Sequence, residues 1–193
     1  MRIHEMAVRD AYRIEPEPIP DHRGLFYEAL RYESLRAATG QAIEIRQVNY
    51  TVSGRNVLRG IHSTTVPPGQ GKIVTCVRGA ALTMVVDLRV GSPTFGRYDV
   101  LGQDPRSSTA VYLPDGIGLA YLALSDDTCM NYLCTREYVH GTIIDVDALD
   151  PELGLPWDLT APPVRSARDA AAPTLAAAVA ADLLPMYEEV CPR

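Results

Sequence analysis

Arg59, His62 and Lys72 put three cationic or proton-carrying side chains into sixteen residues of otherwise apolar, strand-like sequence, Val57-Leu58-Arg59-Gly60-Ile61-His62 followed by Gln70-Gly71-Lys72. Side chains of a strand alternate between its faces, so Arg59 and Ile61 are expected on one face and Leu58, Gly60 and His62 on the other. His62 then shares a face with apolar neighbours, which places an imidazole in the interior. The ordinary account of one such residue is a core histidine satisfied by a backbone carbonyl. Two other accounts give it chemistry: metal ligation and proton transfer.

Metal ligation needs several neutral imidazoles, usually with a carboxylate, converging on one ion. The chain has four histidines, His4, His22, His62 and His140, with no HxH pair, and His4 and His22 fall in terminal or loop sequence. No metal and no cofactor is expected. Proton transfer is better supplied. His62 can act as a base near neutral pH, and Tyr132, in Met130-Asn131-Tyr132-Leu133-Cys134, is a candidate acid on a neighbouring strand. Arg59 and Lys72 can hold a phosphate or an oxyanion that develops during reaction. Singly, each has a plainer explanation, since a tyrosine in an apolar strand is usually core and a lysine beside a turn is usually solvated.

The elements that must position these residues read as mostly β. Ile73–Val77 and Ala81–Leu88, with Arg78-Gly79 between them, have the pattern of a hairpin. Further strands are expected over Ile43–Thr51, Arg97–Leu101, Thr109–Leu113, Leu119–Leu124 and Met130–Thr135. Many short strands at close spacing indicate a jelly-roll sandwich or barrel. Helix is confined to a turn or two over Ser34–Thr39 and an Ala-rich segment from Asp169 or Thr174 to Leu183. Pro151–Pro163 is too short for an interdomain linker and is expected to wrap the β core.

Composition narrows the partners. A chain of 193 residues suits one domain with a substantial core. Its formal net charge of −6 argues against a nucleic-acid binder, which presents a basic face to phosphates. No segment approaches the roughly 18 apolar residues needed to span a bilayer, so a soluble, cytoplasmic protein without membrane partners is expected. No two of Cys76, Cys129, Cys134 and Cys191 have a CxxC spacing, and they read as buried reduced thiols.

The ordered motifs resemble the dTDP-4-dehydrorhamnose 3,5-epimerases, also called dTDP-4-keto-6-deoxyglucose epimerases. The similarity runs through Asp21-His22-Arg23-Gly24-Leu25-Phe26-Tyr27-Glu28, Arg46-Gln47-Val48-Asn49, Val57–His62, Gln70-Gly71-Lys72, Val86-Asp87-Leu88-Arg89, Gly91–Gly96, Tyr132–Tyr138 and Asp150-Pro151 with Trp157. It implies a metal-free cupin-type jelly roll, in a homodimer that exchanges N-terminal strands. The implied substrate is a dTDP-linked 4-keto-6-deoxysugar, whose C4 ketone acidifies the protons of adjacent ring carbons. Loss of one gives an enolate that is reprotonated from the opposite face.

Carried over residue by residue, the resemblance implies His62 as base, Asp169 as the carboxylate that orients it, Tyr132 as acid and Lys72 as the cation beside the enolate oxygen. Arg23, Glu28, Gln47, Asn49, Arg59 and Tyr138 match positions that hold the nucleotide diphosphate, its base or the sugar, with Arg23 and Glu28 reaching in from the partner subunit. A plainer account of Asp169 is a favourable charge at a helix N-terminus. There are departures. In Pro114-Asp115-Gly116-Ile117-Gly118-Leu119-Ala120-Tyr121, Leu119 stands where the family has a second active-site histidine; Thr83 stands for an aspartate, and Ser63 for the aromatic residue after the base. A coordinated loss of the His and Asp avoids a buried, poorly satisfied imidazole. The reading is therefore an epimerase acting at C3 and/or C5, with a pocket reshaped by Tyr121 and Ser63, in deoxysugar biosynthesis of the secondary-metabolite kind. The alternatives are a keto-sugar isomerase and a non-catalytic sugar-nucleotide binding protein.

Overall fold

A computed structural model describes residues 1–190, and Cys191 lies outside them. Its strands are β1 (Arg2–Glu5), β2 (Tyr12–Glu15), β3 (Ile19–Asp21), β4 (Gly24–Phe26), β5 (Gln47–Ser53), β6 (Leu58–Thr64), β7 (Lys72–Arg78), β8 (Ala81–Asp87), β9 (Tyr98–Gln103), β10 (Ala110–Leu113), β11 (Ile117–Ala123), β12 (Thr128–Cys134) and β13 (Ile143–Asp145). Among the described residues helix is limited to α1 (Tyr32–Thr39), α2 (Ala167–Ala170), α3 (Leu175–Ala180) and α4 (Tyr187–Val190). Among the described residues no helix is long and apolar enough to cross a membrane.

Two antiparallel sheets face each other as a jelly roll, one ordered β1-β2-β10-β7-β12-β5 and the other β13-β6-β11-β8-β9. The small antiparallel pair β3-β4 stands apart from both. Alternation along each strand fills the space between the sheets. Val74 and Cys76 of β7 and Met130 of β12 meet Val85 of β8 and Leu119 and Tyr121 of β11. The outer faces are covered differently. Leu35 of α1 packs on Ile14, Ile73, Ala110 and Tyr112 of the first sheet. Trp157, Leu153, Leu155 and Ala178 cover Leu58, Ile61, Met84 and Leu122 of the second, so the Pro-rich segment does wrap the β core.

Two expectations need correction. Lys72–Arg78 and Ala81–Asp87 are strands, but they do not pair: β7 belongs to the first sheet and β8 to the second. Arg78-Gly79 is a corner between sheets, and Gly79 sits there at φ 79°, where an added Cβ would lie 2.8 Å from the Thr128 hydroxyl. The C-terminal helix is also shorter than its alanine content suggests. It splits into α2 and α3 around Pro173, with Ser166 and Thr174 capping the two pieces. Cys76 and Cys134 are buried and free as expected, while Cys129 is free but only half-buried.

The Val86–Arg89 motif is structural. The Asp87 carboxylate accepts from Arg89 Nε at 2.8 Å, from Ser92 Oγ at 2.6 Å and from Thr94 Oγ1 at 2.6 Å. Arg89 also donates to Asp10 and to the Arg9 carbonyl, tying the β1-β2 loop to the second sheet. Burial opposes ionisation of Asp87, but these donors hold its carboxyl below the usual range.

Candidate active site

At one end of the sandwich the two sheets leave a cavity of about 380 Å³. Alternation explains most of its lining. Gln47, Asn49 and Thr51 are successive inward residues of β5, and Tyr132 and Cys134 are those of β12. Lys72 opens β7, and Leu119 and Tyr121 come from β11 across the gap. Tyr138 and Gln70 stand on the connecting loops.

The strand carrying Arg59 and His62 breaks the alternation expected of it. Both residues line the cavity, although they are three positions apart, while Ile61 is buried on the opposite side against Val146 and Leu58. The cause is a β-bulge: Leu119 pairs with His62 but Tyr121 pairs with Arg59, so two steps on β11 match three on β6. Gly60 makes this possible. Its φ is 106°, and a Cβ there would collide with the Leu119 carbonyl oxygen and lie 2.8 Å from Ala120 Cα.

Behind His62, the Asp169 carboxylate lies 2.6 Å from Nε2. A carboxylate only accepts, so in the neutral ring the proton sits on Nε2 and the free lone pair on Nδ1. Asp169 is buried, and its backbone N–H donates to Ser166 Oγ at 3.0 Å as the capping contact of α2. The N-terminal-charge account and the orienting account of Asp169 therefore coexist. Arg165 donates to the Asp169 carbonyl and, at 2.6 Å, to Asp147.

Facing this pair from the other sheet, burial pushes the Tyr132 phenol well above its ordinary value, and the neighbouring Tyr121 hydroxyl adds to the effect. Tyr132 is thus a protonated acid at neutral pH. Burial also draws the Lys72 ammonium below its ordinary value, opposed by Cys134 and Asp115. An ammonium under-solvated in this way is a receptor for an incoming or developing negative charge. The Tyr121 hydroxyl shares hydrogen bonds with Thr51 at 2.8 Å and Ser53 at 2.9 Å, and Ser53 Oγ accepts from Arg59 Nε at 3.0 Å. This network fixes Arg59 across the sheets. At the mouth, Gln47 Nε2 donates to Asn49 Oδ1, and the Tyr138 N–H donates to Gln47 Oε1 at 2.8 Å.

One chain does not gather every residue expected at the site. Arg23 is exposed and paired with Asp21, and Glu28 is exposed and paired with Arg31 at 2.7 Å; neither lines the cavity. Ser63 does not line it either, being buried with its hydroxyl unpartnered. Thr83 points elsewhere too, donating to Gln103 Oε1 at 2.7 Å, while Gln103 donates to the carbonyls of Val74 and Thr109. Leu119 is opposite Val85 and Thr83 opposite Tyr121, so the two departures lie on adjacent strands, and both are satisfied in apolar or hydrogen-bonded surroundings. Sequence reasoning missed Thr51, Ser53, Cys134 and Asp145 near the site. The period-two run Gln47, Asn49, Thr51, Ser53 was the available signal for two of them. His62, Asp145 and Asp169 place potential ligand atoms within 4.8 Å of one another. Arg168 holds both oxygens of Asp145 at 2.7 Å, however, so the donor set reads as ion pairs rather than a metal site.

A sequence model of the dTDP-4-dehydrorhamnose 3,5-epimerase family matches residues 5–177. The chain belongs to that family. It is 47% identical over 186 residues to a dTDP-4-dehydro-6-deoxyglucose 3-epimerase of Streptomyces bikiniensis, covering 96% of this chain and 95% of the relative. It is 42% identical to the dTDP-4-dehydrorhamnose 3,5-epimerase of Mycobacterium tuberculosis, covering 98% and 95%. Among solved structures, a 4-keto-6-deoxy sugar epimerase from the novobiocin biosynthetic gene cluster of Streptomyces spheroides superposes with a TM-score of 0.96 at 42% identity, over 99% of this chain and 96% of that one. A 3'-monoepimerase from Streptomyces bikiniensis in complex with dTDP-quinovose gives 0.92 at 47% identity, over 96% and 94%. The same monoepimerase is known as a double mutant, His to Asn and Tyr to Phe, in complex with dTDP.

Proposed function

We propose that this protein epimerises a dTDP-4-keto-6-deoxysugar at C3 alone, with His62 as base and Tyr132 as acid. The observation that carries the proposal is the placement of a carboxylate-held imidazole on one sheet and a buried, protonated phenol on the other, across a single cavity. His62 Nδ1 takes the proton from the ring carbon next to the C4 ketone, and the electrons of that C–H bond pass into an enolate whose oxygen lies by the Lys72 ammonium. Asp169 stabilises the imidazolium that forms. Tyr132 gives its phenolic proton to the other face, and solvent then takes the proton from His62 and returns one to the Tyr132 oxygen.

The site assignment has independent support. The two positions altered in the monoepimerase mutant are a histidine and a tyrosine seventy positions apart, the same separation as His62 and Tyr132. The choice of C3 follows the 3-epimerases at 47% and 45% identity. Gln47, Asn49, Arg59 and Tyr138 hold the nucleotide diphosphate side of the ligand. Arg23 and Glu28 join them from a second copy of the chain. The exposed Ile19, Leu25 and Phe26 of β3-β4 and the exposed Val48, Tyr50 and Val52 of edge strand β5 favour such a homodimer.

The test is incubation with dTDP-4-keto-6-deoxyglucose in deuterated water, followed by NMR at C3 and C5. Deuterium at C3 only is the expected result. Exchange at both carbons would make the protein a 3,5-epimerase, and saturable binding without exchange would make it a binding protein.

A further inference from the structure

The short helix α2 serves the imidazole twice. Asp169 places its carboxylate on His62 Nε2, and Arg168, one residue earlier, grips a second carboxylate that faces the same nitrogen. That carboxylate belongs to Asp145, the register partner of His62 across β13 and β6, with Oδ1 3.6 Å from Nε2. Arg168 donates to it twice, Nε to Oδ2 and Nη2 to Oδ1, each at 2.7 Å. We propose that Arg168 and Asp145 are positioning residues whose mutual neutralisation keeps His62 available as a proton acceptor. The proposal rests on the assignment of His62 as base.

The argument is one of charge. Two uncompensated carboxylates on one nitrogen would hold the ring as imidazolium, and an imidazolium cannot take a proton from carbon. With Arg168 in place, the surroundings of Nε2 carry one net negative charge, enough to stabilise the imidazolium once it forms but not two. The other groups facing His62 do not replace Arg168. Arg59 on its own strand is fixed by Ser53, and Lys72 of β7 and Tyr132 of β12 lie across the cavity. β11 presents Leu119 and Tyr121, and the mouth presents Tyr138 and Ile143. Asp147, just beyond β13, is held by Arg165. The guanidinium of Arg168 is half exposed, so its effect is greatest at low ionic strength.

The test is the pH profile of kcat/KM for solvent-deuterium incorporation into dTDP-4-keto-6-deoxyglucose, at low salt. A charge within about 4–6 Å moves a titration by about 1–3 units, so the acid limb of Arg168→Gln should rise by about one pH unit and that of Asp145→Asn should fall. Arg168→Gln/Asp145→Asn should return towards the native limb, and Arg168→Lys, which keeps the charge, should stay near it. A purely structural role would lower the plateau and leave the limb in place. An unmoved limb in Arg168→Gln, or a double variant no nearer the native profile than Arg168→Gln, overturns the inference. If Arg168→Gln does not fold, Asp145→Asn and Arg168→Lys carry the same test. A His62→Asn variant that still exchanged at the native rate would instead overturn the base assignment beneath it.

Discussion

Replacing Asp169 with asparagine isolates the electrostatic part of the site from its shape. The amide has nearly the volume of the carboxylate, and the capping bond from the Asp169 backbone N–H to Ser166 is untouched. What is lost is a full negative charge 2.6 Å from His62 Nε2. Two unit charges about 4 Å apart, the separation of ring and carboxylate centres, interact by about 4 kcal/mol at an effective dielectric near 20. His62 is 36% exposed, and solvent reduces that figure. A loss of about 2–4 kcal/mol of transition-state stabilisation corresponds to a fall of about 30- to 1,000-fold in kcat/KM. The fall should be in kcat, because Asp169 stands behind the imidazole and does not line the cavity, so the dissociation constant for dTDP should hold. The assay is solvent-deuterium exchange into dTDP-4-keto-6-deoxyglucose by NMR, with calorimetric titration of dTDP alongside. An exchange rate within about threefold of native at the optimum pH would refute the charge argument.

Lys72→Met should stabilise the fold by about 1 kcal/mol at pH 7 while abolishing most exchange, because burial disfavours the ammonium in the resting state. The sign follows from the lowered titration: the native chain is penalised while Lys72 is charged, so in urea titrations the advantage of Lys72→Met should shrink as pH rises through that lowered value. Gly60→Ala should cost about 3 kcal/mol or more, since its Cβ meets backbone rather than a mobile side chain at φ 106°; urea unfolding and dTDP binding should both report it. If the proposed homodimer forms through β3-β4, Phe26→Glu should leave the fold of each chain intact, give monomer by light scattering and raise KM for the dTDP-sugar, as the partner copy's Arg23 and Glu28 are withdrawn.

The sequence made the inward side chains of β5, β12 and β7 legible, since a period of two needs no knowledge of the partner strand. Gln47 and Asn49 fit that rule in the structure, although they are named from the family resemblance, and Tyr132 and Lys72 from their chemistry. The rule failed at β6, where alternation put Arg59 and His62 on opposite faces and the bulge put them on one. A bulge is decided by what the neighbouring strand does, here the pairing of Leu119 and Tyr121, and a single segment carries no record of it. The corner at Arg78-Gly79 misled for a related reason. A turn between two β-rich runs looks the same whether the strands pair or pass to facing sheets. Asp145 went unnoticed because β13 is three residues long and its role comes from lying beside His62.

The bulge also explains why so much chemistry fits into Val57–His62. A regular strand would send every second residue into the cavity, giving either Arg59 with Ile61 or His62 with Gly60. Three residues spent against two on β11 bring a guanidinium and an imidazole to the same side, and they turn Ile61 back into the core with Leu58 and Val146. Gly60 is therefore as much a part of the site as the residues it separates, because the backbone of Leu119 and Ala120 occupies the space any side chain would need. Leu119, which the family resemblance sets where a histidine is expected, falls on the strand that forms this bulge. It changes what faces His62 across the sheet without touching the backbone geometry that delivers His62 to the cavity, so a change in the sugar pocket is compatible with an undisturbed base.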